Sequence, residues 1–597
     1  MDKQALIQKI KGLDGLTNDE KSNLLGLLRA HKKYGLVWED KPEDVEERLR
    51  DELPVLTEVK ERALISEAPD APNHILIEGD NLEALTALCY THEGKVDVIY
   101  IDPPYNTGNK DFIYNDRFVD SEDDYRHSKW LSFMERRLRI ARRLLSMGGV
   151  IFISIDDNEL AQLKLLCDEV FLEQNFVDVF SWNKTETPAN LSLKTKKAIE
   201  YILCYTKTRT NQKFRGLSKT SSSNNGLMNQ TNSIHELVFP ANTIDTKLPD
   251  GEYKAGQYGT KSYSIILKNN VIVKNGIFIT PVYLEGKFKW SQNNLEKEIN
   301  KGTKVSIKTI AFSPSYEKLE YEPEVPWNLI NKSFGVNTNE QAGEHLKTIL
   351  ASNSFSFPKP VSLIKYLINF IDVNVILDFF AGSGTTLHAT MQLNAEDGGH
   401  RKCILVTNNE NGICENVTYE RNKRVIQGYT TPKGEEVPGL TANTLRYYKT
   451  DFISRDRTQR NMHALVEAAT DLLCIKEDLY EEQTHFGRYK THPKALRYFA
   501  QGSKRMLVLY RDEYTEEVAA EIENIELPQD EKIKIYIFSP DRYAYDDMFE
   551  NVADKVMLVA LPAAIYDAYK KVLPKRKEKL LELATEDKEA NEEGGEE

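Results

Sequence analysis

VDVIYIDPPYNTG (residues 96–108) is the stretch that best indicates the fold of this chain. Its first six residues are β-branched or aromatic apart from one aspartate, which predicts a buried strand. The strand then ends in Asp102, two prolines and Tyr105, and neither proline carries an N–H group. The segment therefore offers two acceptors, the Asp102 carboxylate and the Pro103 carbonyl, beside a flat aromatic ring.

Strands and helices alternate on both sides of this stretch, which is typical of an α/β parallel sheet. HILIEG (74–79) and GGVIFISIDD (148–157) have strand patterns, whereas NLEALTALCY (81–90) and WLSFMERRLRIARRLL (130–145) indicate helices. The same succession of strand and helix patterns returns in VILDFFAGSGTT (375–386), after a long polar segment. We predict one α/β sheet that is interrupted by an insertion.

Changes of composition divide the chain into five predicted segments. A helical N-terminal segment and the first part of the sheet precede the insertion, and the rest of the sheet and a C-terminal α/β segment with an acidic tail follow it. The predicted bounds are 1–60, 61–207, 208–350, 351–449 and 450–597. Short alternating strands in the insertion predict a module of mainly β or α+β character.

Charge is distributed unevenly along the chain. The formal net charge is −14, but residues 207–320 carry 17 Lys and Arg against 9 Asp and Glu. A basic middle can bind a polyanion even when the whole chain is acidic. The lack of a long apolar run argues against a membrane span. Six scattered cysteines without C-x-x-C spacing predict a reducing cytoplasm and argue against disulfides or a zinc site.

LDFFAGSGTT (377–386) is the second informative motif, because a buried strand runs there into a glycine turn and a helix. Glycines let the backbone approach a ligand, and a helix N-terminus favours an anionic group such as a carboxylate. The next strand leads to Glu410, an acid well placed to bind ribose hydroxyls. The pattern is neither G-x-G-x-x-G nor a P-loop. We predict a nucleoside ligand without a polyphosphate; the alternative is a glycine turn of ordinary packing value and a surface glutamate.

An exocyclic amine on a purine or pyrimidine would complement the acceptors and ring of residues 102–105. Such an amine has two N–H donors on a flat ring, and its lone pair is delocalised into that ring. Acceptors that hold both hydrogens can localise the pair and direct it at an electrophile, so no Ser or Cys nucleophile is needed. The alternative is that the two prolines only terminate the strand and the segment binds no ligand.

DPPY followed by FxGxG (380–384) resembles the S-adenosylmethionine-dependent DNA amino-methyltransferases. DPPY precedes the insertion and FxGxG follows it, which is the motif order of the β class and implies a circularly permuted, Rossmann-like sheet. The run from GDNLEALTAL to SMGGVIFISIDDNE, with FSFPKPVSLIKYLI (355–368), resembles the modification subunits of type III restriction-modification systems. The resemblance covers roughly residues 20–450 and is weaker within 210–350.

The resemblance implies roles for individual residues. The amine-binding catalytic motif would consist of Asp102, Pro103, Pro104 and Tyr105. The residues implied to bind S-adenosylmethionine are Asp80 near the adenine, Glu410 at the ribose, Phe380, Gly382 and Gly384 at the methionine end, and Lys359, Asp378 and Thr385.

The implied reaction is in-line methyl transfer to an adenine N6 in double-stranded DNA, with the base flipped out of the helix and no metal required. An Asp at the motif head favours adenine N6 over cytosine N4. The basic insertion is predicted to recognise the target, and the candidate phosphate-binding residues are Lys207, Arg209, Lys213, Arg215 and Lys219. The resemblance further implies a homodimer and a separate ATP-dependent helicase–nuclease subunit as partner.

Other functions stay open from the sequence. A non-catalytic DNA-specificity subunit would have lost the chemistry, and the intact motifs argue against it. Methyltransferases of protein glutamine or RNA usually carry Asn at the motif head and place the cofactor loop first. A solitary regulatory methyltransferase without a restriction partner would carry the same motifs as a type III subunit.

Overall fold

Ten strands form the central sheet. The computed structural model describes residues 36–108, 111–115, 117–188, 193–216, 225–318, 324–352, 355–528 and 530–575. In chain order the strands are β1 (Glu52–Glu58), β2 (Asn73–Glu78), β3 (Val96–Ile101), β4 (Leu145–Ile155), β5 (Phe176–Asn183), β6 (Ile199–Thr206), β7 (Leu329–Ile330), β8 (Val375–Asp378), β9 (Lys402–Thr407) and β10 (Thr444–Ser454). Their spatial order is β1-β10-β2-β9-β8-β3-β4-β6-β5-β7.

The middle of this sheet is parallel. Strands β2, β9, β8, β3 and β4 each run in the same direction as the next. Although β8 follows the insertion in sequence, it pairs directly with β3, and Leu377 lies opposite Ile99. The pairs β1–β10, β4–β6 and β5–β6 are antiparallel, so the sheet is mixed. The predicted α/β class is confirmed.

The helices outside the insertion lie before, between and after these strands in the chain. They are α1 (Asp44–Asp51), α2 (Asn81–His92), α3 (Arg126–Leu144), α4 (Leu160–Cys167), α5 (Asn339–Leu350), α6 (Val361–Ile368), α7 (Thr385–Asp397), α8 (Glu420–Gln427), α9 (Gln459–Glu477), α10 (Thr515–Glu523) and α11 (Ala563–Tyr569). In α3, Trp130, Met134 and Leu138 recur at helical spacing and are buried in the core. Within the described ranges, no helix has the length and apolar character needed to cross a membrane.

The helical prediction for residues 1–60 is wrong at its C-terminal end. Residues 1–35 lie outside the described ranges; α1 is a helix, but the next residues form the edge strand β1. Leu53, Val55 and Leu56 are buried there, and β1 pairs antiparallel with β10. Pro54 explains the difference, because proline disrupts a helix interior but is tolerated in an edge strand.

The described residues divide into two compact units, one within residues 1–213 and 327–597 and the other within residues 214–326. The second unit has its own apolar core, which includes Leu237 and Phe288, and a helix at Gln292–Asn300. Its four-stranded sheet contains His235–Phe239, Val282–Gly286, Tyr263–Leu267 and Gly256–Thr260. Its seven-stranded sheet contains Gly251–Tyr253, Val271–Lys274, Ile277–Phe278, Ile244–Thr246, Lys304–Ile307, Pro314–Glu317 and Asn225–Gly226.

A second sheet lies in the C-terminal part of the first unit. Its five strands are Glu482–Gln483, Leu496–Gln501, Lys504–Leu509, Ile533–Ser539 and Val556–Pro562. Helix α9 packs against β1, α2 and the last of these strands, and its Leu465, Leu472 and Leu473 are buried in the same core as the central sheet. The acidic tail lies outside the described residues.

Candidate active site

Four adjacent parallel strands end at one cavity of about 450 Å³. The carboxyl edge of a parallel sheet is where ligands bind in open α/β folds. The loops that line the cavity follow β2 (Gly79, Asp80, Asn81), β3 (Asp102, Pro103, Pro104), β8 (Phe379, Phe380, Gly382) and β9 (Thr407, Asn408, Glu410). The DPPY and FxGxG motifs, which are far apart in sequence, therefore share one cavity.

Negative charge dominates the lining of this cavity. The carboxylates are Glu43, Asp44, Asp80, Asp102, Asp111 and Glu410, and no Lys, Arg or His occurs among the described residues that line it. Arg137, fully buried behind the wall, lies 2.8 Å from Glu43 and 3.5 Å from Asp80. Arg136 lies 3.9 Å from Glu43, and Lys359 lies 2.8 Å from Asp102. Because the six acids of the lining outnumber these three cations, the cavity favours a positively charged ligand.

The turn after β8 requires glycine. Gly384 has φ +73° and precedes α7, and a Cβ there would lie 2.4 Å from Nδ2 of Asn422. The Asp378 carboxylate shapes the turn by accepting bonds from the Phe380 N–H (3.0 Å) and the Thr386 hydroxyl (2.5 Å). Burial raises the pKa of Asp378 to about 7. Of the predicted residues on this turn, Phe380 and Gly382 line the cavity, and Asp378 and Gly384 support it.

Thr385 and Arg421 support the same turn from behind. The Thr385 hydroxyl donates to the Lys359 carbonyl (3.2 Å) and accepts a bond from Arg421 (2.7 Å). Arg421 also donates to the carbonyl and hydroxyl of Ser383, at 3.1 and 3.0 Å. Burial lowers the pKa of Arg421 to about 9. Arg421 was not predicted from the sequence, and it lies on α8, beyond the motif that it supports.

Asp80 and Glu410 stand on the loops after β2 and β9, which are neighbouring strands. The Asp80 carboxylate accepts the Leu82 N–H at 2.7 Å and so caps α2. Asp80 therefore has a structural role as well as a place in the lining.

Side-chain hydrogen bonds hold the DPPY segment and the residue after it. The Tyr105 hydroxyl donates to Oδ1 of Asp102 (2.8 Å), and the Trp130 indole donates to the Pro104 carbonyl (2.7 Å). Asn106, at φ +56°, donates to the buried Glu159 at 2.6 Å. Since the Pro104 carbonyl already accepts a hydrogen bond from Trp130, the Pro103 carbonyl is the better candidate for the second acceptor.

Lys359 reaches the DPPY motif. Its ammonium lies 2.8 Å from Oδ2 of Asp102 and 3.5 Å from Oε2 of Glu200, and only 7% of its side chain is exposed. Burial lowers the pKa of Lys359, but the two carboxylates outweigh that effect and hold it above its ordinary value. Burial raises the pKa of Asp102, and Lys359 offsets part of that rise. Lys359 thus contacts Asp102 directly and lies outside the lining of the cavity.

Two further buried acids, Glu200 and Glu159, belong to this site and were missed. Glu200 stands in β6, and Lys184 lies 3.0 Å from its other oxygen. Glu159 binds Asn106 and also His127 Nδ1, at 2.6 Å. In the sequence, Glu200 is recognisable as an acid inside an apolar strand, and Glu159 is the last residue of SIDDNE.

The predicted phosphate-binding residues differ in their exposure and in their contacts. The Lys207 ammonium binds the carbonyls of Leu145 (2.5 Å) and Arg143 (3.4 Å), so it is engaged within the first unit. Arg209, Lys213 and Arg215 are exposed, and Lys219 lies outside the described residues.

Comparisons with known proteins agree with this geometry. A family model described as DNA methylase matches residues 96–429. The Mod subunit of the type III enzyme StyLTI from Salmonella typhimurium is 31% identical over 432 residues, covering 67% of this chain and 60% of that protein. The EcoP15I Mod subunit of Escherichia coli is 30% identical over 465 residues, covering 68% and 69%.

The type II methyltransferase M.KpnI of Klebsiella pneumoniae is 29% identical over 390 residues, covering 60% of this chain and 87% of that one. Among solved structures, the PvuII DNA methyltransferase (cytosine-N4-specific) aligns with 59% of this chain and 88% of its own, at 11% identity and a TM-score of 0.31. The predicted resemblance to type III Mod subunits is confirmed, over 60% to 69% of the two relatives' lengths. Since its family model covers more than half of the sequence, this chain belongs to the DNA methylase family.

Proposed function

We propose that the chain is a DNA methyltransferase that transfers a methyl group from S-adenosylmethionine to adenine N6, as the modification and DNA-recognition subunit of a type III restriction-modification system. The observation that carries this proposal is that Asp102 and the glycine turn after β8 line one acidic cavity. The Mod subunits that the chain resembles support the choice of system.

The cavity suits S-adenosylmethionine in size and charge. Its volume of about 450 Å³ lies within the range of small-molecule sites. The cofactor supplies an electrophilic methyl group on a positively charged sulfonium, and its ammonium adds a second positive charge that the acidic lining favours. Glu410 would bind the ribose, Asp80 would lie near the adenine, and Phe380 and Gly382 would line the methionine end.

Asp102 and the Pro103 carbonyl would accept the two hydrogens of the target amine. These acceptors would direct the nitrogen lone pair towards the methyl carbon and stabilise the positive charge on nitrogen as the N–C bond forms and the S–C bond of the cofactor breaks. The surplus N–H proton would then leave through the Asp102 carboxylate to solvent. Before an amine binds, the buried Lys359 and the half-buried Tyr105 hold the Asp102 carboxylate in one orientation. No covalent bond between the chain and the base is needed.

The wider assignments follow from the same family relationship. The pairing of β8 with the earlier strand β3 fits a circularly permuted, Rossmann-like methyltransferase sheet. We assign target recognition to the basic insertion, whose compact unit spans 214–326 and exposes Arg215. A cytoplasmic homodimer that joins an ATP-dependent helicase–nuclease subunit, and a target adenine flipped from the duplex, complete the proposal.

Transfer of tritium from labelled S-adenosylmethionine to DNA tests the proposal. Genomic DNA from a methylation-deficient bacterial host is the substrate, and Asp157→Ala, which removes an exposed acid paired with Lys197 at 2.7 Å, is the control. We expect transfer by the wild-type protein and the control and a loss of about 10²-fold or more in Asp102→Ala. Full activity of Asp102→Ala would refute the role of that carboxylate.

A further inference from the structure

Glu200 shares both of the donors that hold Asp102. The Tyr105 hydroxyl lies 2.8 Å from Oδ1 of Asp102 and 3.3 Å from Oε2 of Glu200. The Lys359 ammonium lies 2.8 Å from Oδ2 of Asp102 and 3.5 Å from the same Glu200 oxygen. One hydroxyl and one ammonium are thus divided between two carboxylates, and the shorter distances are those to Asp102.

The two carboxylates differ in their surroundings. Glu200 stands inside β6 with 7% of its side chain exposed, whereas Asp102 opens to the cavity and is 26% exposed. Lys184 holds the other oxygen of Glu200 at 3.0 Å. The charges therefore alternate in the order Lys184, Glu200, Lys359 and Asp102, and the last member faces the place where an amine would enter.

Each Asp102 oxygen already accepts one of these donors and keeps a further lone pair, so an amine that binds there meets a carboxylate whose negative charge is partly neutralised. Resting on the proposed function, we propose that Glu200 is a positioning residue: it takes over the Tyr105 hydroxyl and the Lys359 ammonium when the base amine binds, and so frees the Asp102 carboxylate to accept the amine hydrogens. The displacements are short, because both donors already lie within 3.5 Å of Glu200.

The electrostatic effect of Glu200 acts in the same direction. Burial raises the pKa of Asp102, Lys359 lowers it, and the negative charge of Glu200 raises it again. Without that charge, Lys359 would be held by Asp102 alone, and the carboxylate would become a weaker acceptor. The charged and titratable groups around Asp102 are Lys359, Glu200, Tyr105, Tyr100 and Asp378.

The pH dependence of methyl transfer distinguishes this role from a purely structural one. Single-turnover tritium transfer to genomic DNA from a methylation-deficient host is measured across a range of pH, and S-adenosylmethionine binding is measured by calorimetry. In Glu200→Gln we expect a rate at least about tenfold lower at neutral pH, the scale of one charged hydrogen bond. We also expect the acid limb of the profile to move to lower pH while cofactor affinity is unchanged. Glu200→Asp, which keeps the charge, should recover part of the rate and the wild-type limb.

Lys184→Met should move the acid limb of the pH profile in the opposite direction. Glu200 would lose one of its two cations, hold Lys359 more tightly and raise the pKa of Asp102, so the acid limb should move to higher pH. Lys184 is 25% exposed and tolerates replacement better than a buried group. Glu482→Gln, which breaks a remote pair with Arg497, is the matched control and should leave the profile unchanged.

The inference is overturned if Glu200→Gln has the wild-type rate and profile. It is also overturned if Glu200→Gln and Glu200→Asp lose activity equally without moving the acid limb, since that result indicates a structural role only. Should Glu200→Gln fail to fold, an unmoved limb in Lys184→Met overturns it. Absence of transfer by the wild-type protein would refute the proposed function itself, which the same experiment reports separately.

Discussion

The Lys359 ammonium lies 2.8 Å from the Asp102 carboxylate, and this contact joins two segments that are 257 residues apart in the sequence. One segment precedes the compact unit 214–326 and the other follows it. The DPPY motif is therefore held in place by a residue that follows the insertion in the sequence. Lys359 lies just before α6 and is not among the residues that line the acidic cavity.

Lys359→Met should destabilise the protein. It leaves Asp102 and Glu200 buried close together without the cation that they share. Removing one partner of a buried pair typically costs about 3–5 kcal/mol. We expect a loss of about 3 kcal/mol in the free energy of unfolding, measured by denaturant titration. Lys197→Met removes an exposed partner of Asp157 and should cost less than about 1 kcal/mol; equal losses in the two variants would contradict the account.

Gly384→Ala should abolish cofactor binding. The added Cβ would lie 2.4 Å from Asn422 in a backbone conformation with φ +73°, so the turn beside Gly382 would have to move. Gly398, at the other end of α7, has φ +70° and open space around it. Gly398→Ala should therefore show only the left-handed strain of about 1–2 kcal/mol, with wild-type affinity for S-adenosylmethionine by calorimetry. Equal affinities in the two variants would show that the turn does not bind the cofactor.

Glu410→Ala should weaken S-adenosylmethionine binding by about ten- to a hundredfold, the range for a hydrogen bond to a charged group. Glu410 lines the cavity at the end of β9, where ribose hydroxyls would lie. Glu435→Ala, in an exposed turn, is the control. An unchanged dissociation constant in Glu410→Ala would place the ribose elsewhere.

Glu159 should make the stability of the protein fall as the pH rises. Burial raises its pKa to about 8, and one of its carboxylate oxygens is buried without a hydrogen-bond partner in the described part of the chain. Because the pKa is higher in the folded than in the unfolded state, this contribution to stability is complete below about pH 4.5 and is lost as the pH approaches 8.

Glu159→Gln, which resembles the protonated acid, should flatten that dependence. We expect the free energy of unfolding of Glu159→Gln to increase relative to the wild-type value between about pH 4.5 and 8. The exposed variant Glu122→Gln is the control. Parallel pH profiles for wild type and Glu159→Gln would mean that Glu159 is already ionised in the folded protein.

The sequence predicted the parts of the site that depend on local pattern. VDVIYI and VILDFF are apolar runs with one aspartate each, which is typical of strands buried on both faces, and DPPY and AGSGTT each carry a chemical signature of their own. The strand pairing that brings Asp102 and Gly382 to one cavity was expected from the family resemblance rather than from the residues alone.

Contacts between distant segments were not predictable in this way. Glu200 and Arg421 are ordinary charged residues in sequence, and their roles depend on which neighbours the fold supplies: two lysines in one case and the Ser383 turn in the other. Residues 52–58 were misassigned for a similar reason, because ELPVLTE forms a strand only by pairing with β10, almost 400 positions later.

Single-molecule sequencing tests the central claim most directly, because it reports the modified base, the modified atom and the sequence context together. DNA is compared from a methylation-deficient host that expresses the wild-type chain, the Asp102→Ala variant or neither. The account predicts N6-methyladenine at one short motif with the wild-type chain alone. The same modification in Asp102→Ala, methylation of cytosine N4 instead, or no modification with the wild-type chain would contradict it.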